Sequence, residues 1–278
     1  MKIHHINAGT LCPASSRLVN GRGGLFQRAR LVCHVLLIEA PEGLVLVDTG
    51  LGLADIASPA RLGTAWIRGV SPRLLADESA LRQVEALGFV ASDVRHILLT
   101  HLDRDHAGGI GDFPSAKVHV HENEYRAAVS GDLSVRRGRY IAEQWQGNTD
   151  WALYEQEGEN WFGFRGVRAL GNQNPDILVI PLHGHTLGHC GIAIRSAGRW
   201  YLHAGDSYYF HGQVDERSAS TPLALSYFQR RADSNRAMRV ENQARLRALN
   251  LNHKSEITIF CSHDPVEYDC CTAALQSR

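Results

Sequence analysis

Within six residues, His101-Leu102-Asp103-Arg104-Asp105-His106, the chain places two imidazoles and two carboxylates. Two carboxylates this close repel each other and lose hydration if buried, which costs several kcal/mol unless a cation compensates. The mixed nitrogen and oxygen donors are those that zinc, manganese and iron accept. The cluster directly follows His96-Ile97-Leu98-Leu99-Thr100, a nearly continuous apolar run of the kind that forms a buried strand. It therefore falls in a loop, 101–109, at the C-terminal end of a strand, where a rigid sheet can make side chains converge on a ligand. A solvated polar turn before a helix is the bland alternative. It does not explain why the arrangement recurs: Ile177–Pro181 leads into His183-Gly184-His185-Thr186, Arg199–His203 into Gly205-Asp206, and Ile257–Cys261 into Ser262-His263-Asp264. Four strand ends each deliver a histidine or an acid.

The rest of the chain reads as packed α/β structure. CHVLLIE and GLVLVDT form two strands of a hairpin turning at Ala40-Pro41-Glu42-Gly43. A helix between Asp77, as N-cap, and Gly88 turns Leu81, Val84 and Leu87 inward. A second helix, capped by Ser234, carries Ala237, Val240, Ala244 and Leu249 on one face and arginines elsewhere. Residues 122–168 are rich in aromatics and read as a lid-like insertion; core or lid packing is the first account of these aromatics, and contact of Trp145, Trp151 or Trp161 with an apolar part of a substrate is the alternative. The Gly- and Arg-rich stretch Pro13–Arg30 reads as a loop on another side of the site. His119 and His121 share one face of a strand as a metal pair would, without a third ligand nearby. No linker interrupts the sequence, so a single domain over 1–278 is expected.

Lys+Arg and Asp+Glu number 29 each, so no global field would hold nucleic acid or an anionic membrane, and a small molecule is the expected partner. None of the 6 cysteines lies in C-x-x-C spacing. No signal-like start and no run approaching the length of a membrane span is present, and a cytoplasmic location is expected.

Five segments in order, Val47-Asp48-Thr49-Gly50, T-H-L-D-R-D-H-A-G-G at 100–109, G-H-T-L-G-H at 184–189, His203-Ala204-Gly205-Asp206 and Ser262-His263-Asp264, resemble the motifs of the metallo-β-lactamase superfamily. The resemblance implies a four-layer αββα sandwich with metals at one end of the paired sheets. It implies His101, Asp103 and His185 on a first divalent metal, Asp105, His106 and His263 on a second, and Asp206 between them. Asp103 departs from the motif, which normally has histidine there. The substitution makes that site harder and more negative, so zinc is the first expectation and manganese or iron the alternatives. Replacing Asp103 with histidine is then expected to retain or raise zinc affinity. Asp48, Asp264 and His189 match motif positions that would orient the ligand imidazoles.

Such a site implies hydrolysis of a small-molecule ester-type bond, a lactone first. Asp105 would orient the nucleophile. Tyr209, three residues after Asp206, would donate to the substrate carbonyl or leaving oxygen as in similar lactonases; packing within Tyr208-Tyr209-Phe210 is its structural alternative. Two other functions remain open at this point: a di-iron redox enzyme of the same fold, since an acid stands at position 103, and a weakly catalytic ligand-binding or sensor protein.

Overall fold

The strands follow from alternating apolar residues that find a packed layer on both faces. In the computed structural model, which describes residues 1–130, 138–147, 150–155, 158–168, 170, 174, 176–215 and 221–276, twelve strands form two six-stranded sheets. The first comprises β1 (Lys2–Leu11), β2 (Leu31–Ala40), β3 (Gly43–Val47), β4 (Val94–Leu98), β5 (Lys117–His121) and β6 (Trp151–Tyr154), in sequence order across the sheet. The second comprises β7 (Glu159–Trp161), β8 (Phe164–Arg168), β9 (Ile177–Pro181), β10 (Cys190–Ser196), β11 (Arg199–His203) and β12 (Ile257–Phe260). β3 to β6 run parallel, as do β11 and β12; the other pairings are antiparallel.

Side-chain alternation sorts the core into layers. Leu36 and Ile38 of β2 and Val45 and Val47 of β3 meet Ile177, Val179, Ile192 and Ile194 between the sheets. On the outer face of the first sheet, Val35, Leu37, Leu44 and Leu46 pack on Ala80 and Val84 of the helix Ala80–Ala86 and Ala127 and Ala128 of the helix Glu122–Val129. On the outer face of the second, Leu178, Ile180 and Ala193 pack on Leu246 and Leu249 of the helix Arg236–Asn252. The architecture is the αββα sandwich.

At one end the two sheets are stitched by backbone bonds between their terminal loops. His34 N–H donates to Ser262 O at 2.9 Å and Cys190 N–H to Thr100 O at 2.8 Å. Here β3 ends in two left-handed residues, Asp48 at φ 58 and Gly50 at φ 63. Asp48 is held in that conformation by long-range bonds, its carboxylate accepting from the Thr100 amide and hydroxyl, and strain of this kind gathers at functional sites. Gly50 has no room for a side chain: a Cβ would lie 2.2 Å from Ala8 O. Gly50→Ala is expected to cost about 3 kcal/mol from overpacking and strain together. An unchanged urea midpoint would contradict the packing described here.

Several expectations are corrected. Ser79, not Asp77, caps the helix Ala80–Ala86, its hydroxyl accepting from Arg82 N–H, and Leu87 is exposed beyond the helix end. Asn235, not Ser234, caps Arg236–Asn252. That helix buries Arg239, Asn242, Leu246 and Leu249, while Ala237, Val240 and Ala244 face outward. Buried polar groups are tolerated when bonded; Arg239 pairs with Asp233 at 2.9 Å and Asn242 donates to His183 O at 2.8 Å.

Where described, the large aromatics of the stretch 122–168 pack into core and sheet edges. Trp145 belongs to the first outer core, Trp151 lies in β6 and packs against that core, and Trp161 belongs to the second outer core. Large aromatics supply the area that either a lid or a core needs, so the pattern alone does not distinguish the two. Within this stretch, residues 131–137, 148–149 and 156–157 lie outside the described residues.

Candidate metal centre

The ligand loops leave β4, β9, β11 and β12 at the stitched end and bring all seven expected residues together. Asp206 sits at the middle. Its Oδ2 lies 3.8 Å from His101 Nε2 and 3.4 Å from His185 Nε2. Its Oδ1 lies 3.5 Å from His106 Nε2 and 3.2 Å from His263 Nε2. Asp103 Oδ2 approaches the first pair, 3.1 Å from His185 Nε2 and 3.5 Å from His101 Nε2. Asp105 Oδ2 approaches the second, 3.8 Å from His263 Nε2. The donor atoms of His101, His185 and Asp206 lie within 4.8 Å of one another, and so do those of His106, Asp206 and His263.

The other ring nitrogens are committed, which leaves the Nε2 atoms for the centre. His263 Nδ1 donates to Val32 O at 2.7 Å. His106 Nδ1 bonds Asp48 Oδ2 at 2.9 Å, and Asp48 also accepts from the Thr100 amide and hydroxyl, both at 2.8 Å. Such partners fix tautomer and ring orientation. His189 works on the backbone: its Nε2 accepts from Asp206 N–H at 2.8 Å and its Nδ1 bonds Leu182 O at 3.0 Å. Asp264, expected to orient an imidazole of the centre, instead accepts from Val266 N–H at 2.7 Å at the start of the helix Pro265–Gln276 and pairs with His211 Nδ1 at 2.7 Å.

The chemistry of this donor set fits a divalent cation pair. Among the described residues, His101 Nε2 and Asp206 Oδ1 are buried without a hydrogen-bond partner, a costly arrangement unless something else satisfies them. Burial opposes ionisation of Asp206, yet His263 and His106 outweigh it and hold the carboxyl well below the usual carboxylate range. For Asp103, burial is likewise outweighed, chiefly by Arg139 and His101.

Arg139 was not legible as a site residue. It is buried, its Nε lies 2.8 Å from Asp103 Oδ1, and its other nitrogens donate to His185 O at 3.0 Å, Ala232 O at 3.1 Å and Ser234 Oγ at 3.2 Å. Arginine holds carboxylate and carbonyl groups in a fixed fork, so it fixes Asp103 and the His185 backbone as one unit. Cys33, which no ligand spacing in the sequence marks, also reaches the centre: its sulfur lies within 4.8 Å of the donor atoms of Asp105 and His263. Burial, and then the nearby carboxylates of Asp105 and Asp206, push its thiol well up.

Tyr209 is buried, stacks on His263 at 5.5 Å, and donates its hydroxyl to Asp206 Oδ2 at 2.8 Å. A cavity of about 470 Å³ opens over the centre. Asp103, Asp105, Arg139 and Tyr209 line its floor, and Leu11, Val19, Trp66, Val70, Leu225 and Phe228 its walls. The tryptophan in the cleft is thus Trp66, not Trp145, Trp151 or Trp161. His119 and His121 form no second metal group among the described residues: His119 bonds His96 Nδ1 at 2.9 Å, and His121 accepts from Asn123 N–H at 3.1 Å.

Behind the last ligand loop, Glu267 accepts from Tyr208 Oη and Cys261 N–H at 2.9 and 2.8 Å. Burial first, and Asp264 second, raise its carboxyl to about 8. The unfolded chain loses this proton near pH 4.5 while the fold keeps it, so Glu267 costs stability increasingly as pH rises from about 4.5 to about 8. Glu267→Gln keeps an acceptor for Cys261 N–H and is expected to flatten the stability profile across that window and raise the neutral-pH melting temperature. A parallel, unshifted profile would show that the carboxyl is ionised in the fold.

The chain belongs to the metallo-beta-lactamase superfamily, whose sequence pattern matches residues 28–240. A Mycobacterium tuberculosis protein named "Probable metallo-hydrolase" is 39% identical over 268 residues, covering 96% of this chain and 82% of the relative. An N-acyl homoserine lactonase of Bacillus thuringiensis is 25% identical over 235 residues, covering 82% and 86%. A solved structure of B. thuringiensis AiiA, with N-decanoyl-L-homoserine at its active site, shares the fold with a TM-score of 0.72 at 21% identity, covering 97% of this chain and 96% of that one.

Proposed function

We propose that this metal-dependent hydrolase holds two divalent cations and opens a lactone or comparable small ester. One observation carries the reading: Asp206 turns one oxygen to His101 and His185 and the other to His106 and His263. In this assignment His101, Asp103 and His185 would hold the first cation, and Asp105, His106 and His263 the second, with Asp206 shared between them. Zinc is the first candidate, with manganese or iron next because Asp103 adds an oxygen donor. Bound there, such cations supply hydroxide near neutral pH and polarise a carbonyl oxygen.

The chain's own residues supply the rest. Asp105 lines the cavity, which supports its role of orienting the nucleophile. Tyr209 keeps its proton, because burial and then Asp206 push the phenol well above its ordinary value, so it is a donor for a carbonyl or leaving oxygen. Apolar walls hold a hydrocarbon substituent and exclude water. The similarity to N-acyl homoserine lactonases supports a lactone as substrate class.

The test is metal analysis of the purified chain together with a panel of lactones, thioesters, phosphoesters and β-lactams. Two metals per chain with lactone hydrolysis support the reading; two metals with turnover of another class alone overturn the substrate, and an iron-type optical spectrum with oxygen consumption overturns hydrolysis. Tyr209→Phe is expected to lower kcat about a hundredfold with metal content unchanged.

A further inference from the structure

The overall charge balance conceals a one-signed mouth. Three stretches surround the cavity entrance: 12–30, 56–76 and 221–232. They contribute Pro13, Val19, Trp66, Val70, Leu225 and Phe228 to its walls. Together they hold nine arginines, at 17, 22, 28, 30, 61, 68, 73, 230 and 231, and neither an aspartate nor a glutamate. Arg30, Arg61 and Arg73 pair with Asp269, Asp55 and Glu78 from outside these stretches. The other six make no ion pair among the described residues.

Large apolar side chains stand outward among these arginines. Phe26 is fully exposed at 102%, and Leu223 and Tyr227 are 77% and 67% exposed. Leu18 and Leu25 join them. This exposure is built in. The 16–27 loop is closed by Ser16 N–H donating to Gln27 O at 2.7 Å and by Ser16 Oγ donating to Arg22 O at 2.8 Å. In the helix Leu223–Ala232, Leu225 and Gln229 are buried while Leu223 and Tyr227, one turn apart, share the outer face.

We propose that the cavity mouth docks on an anionic lipid surface, with Phe26, Leu25, Leu223 and Tyr227 entering the head-group and acyl boundary and the arginines meeting the lipid phosphates. Arginine beside phenylalanine and leucine is the composition that interfacial segments use, and apolar burial adds to attraction for anionic head groups. The apolar cavity wall continues inward from the same segments, giving an amphiphilic molecule a path from the surface to the centre. A second copy of the chain fits poorly, because a two-fold contact would set the six arginines without an ion pair among the described residues against the same six. Nucleic acid fits the charge but leaves Leu18, Leu25 and Leu223 without a partner, since bases stack on aromatic groups. Docking does not depend on the hydrolytic reading, so its test needs no turnover.

The full chain should be sedimented with vesicles of phosphatidylcholine alone and of phosphatidylcholine mixed with phosphatidylglycerol. Binding is expected to the mixed vesicles only and to weaken with salt. Arg22→Glu and Arg230→Glu should each lower partitioning about fivefold or more. Phe26→Ser and Leu223→Ser should each lower it about tenfold. All four positions are exposed, and an unchanged thermal melt confirms that each variant folds. Absence of binding to the mixed vesicles, or equal binding to neutral ones, overturns the proposal. So does retention of a single-stranded oligonucleotide in place of vesicles, or a dimer that Phe26→Ser dissociates.

Discussion

Asp206→Ala is expected to remove both metals from the purified chain and to lower lactone hydrolysis by more than about a hundredfold. Removing groups that merely orient ligands typically costs about ten- to a hundredfold in affinity or activity. Asp206 faces all four histidines and should exceed that range. The variant also leaves four imidazoles converging on a space that has lost its central carboxylate. Added zinc should raise the melting temperature of the wild type, because a ligand that binds only the fold stabilises it, and should leave the variant's melting temperature nearly unchanged. A variant that keeps two metals and full turnover would overturn the bridging assignment.

The second large effect concerns Asp103 and Arg139, which must be considered together. The sequence alone favours Asp103→His as a change that retains or raises zinc affinity, since histidine is usual there. The 2.8 Å pair with Arg139 adds a stability cost to that change, whatever it does to zinc affinity. Removing one member of a buried ion pair strands the other, at a cost of about 3–5 kcal/mol. Asp103→His leaves the guanidinium without its carboxylate, and Arg139→Gln leaves the carboxylate without its guanidinium. Each single variant should therefore melt well below the wild type. The double variant Asp103→His, Arg139→Gln should be more stable than the sum of the singles by over about 1 kcal/mol. In Arg139→Gln, a metal at the first position takes over the neutralisation of Asp103, so zinc should raise the melting temperature more than in the wild type. Additive single effects in a denaturation cycle would show that the two residues act independently.

The parts of this site that were legible share a local cause. His101, His185, Asp206 and His263 each follow a short apolar run, and the alternation that buries a strand on both faces also fixes where it ends. The ligand ends could therefore be located without knowing how the sheets pair. Arg139 had no comparable marker. It precedes no periodic segment, and its role exists only because the fold brings Asp103, 36 residues earlier in the chain, and His185, 46 residues later, to it. Arg239 and Asn242 were misplaced for a related reason: a hydrophobic stripe cannot reveal a helix face that buries bonded polar groups. The aromatics at 145, 151 and 161 carried a strong signal with two interpretations, and the sheet edges and outer cores, not the cleft, use them. Trp66, which does reach the cleft, lies in a seven-residue helix whose inward face is too short for periodicity to show.

The backbone bonds that join the sheets at the metal end govern how the molecule comes apart. The His34 and Cys190 amides each donate from a strand in one sheet to the loop at a strand end in the other. Neither bond can open while both sheets stay docked around the centre, so these two amides should exchange with deuterium through global unfolding alone, at the slowest rate in the chain. The mouth segments, outside both sheets, exchange on their own schedule. Evolution can therefore rewrite what enters the cleft one loop at a time, whereas any drift in the floor must pass through the whole fold at once.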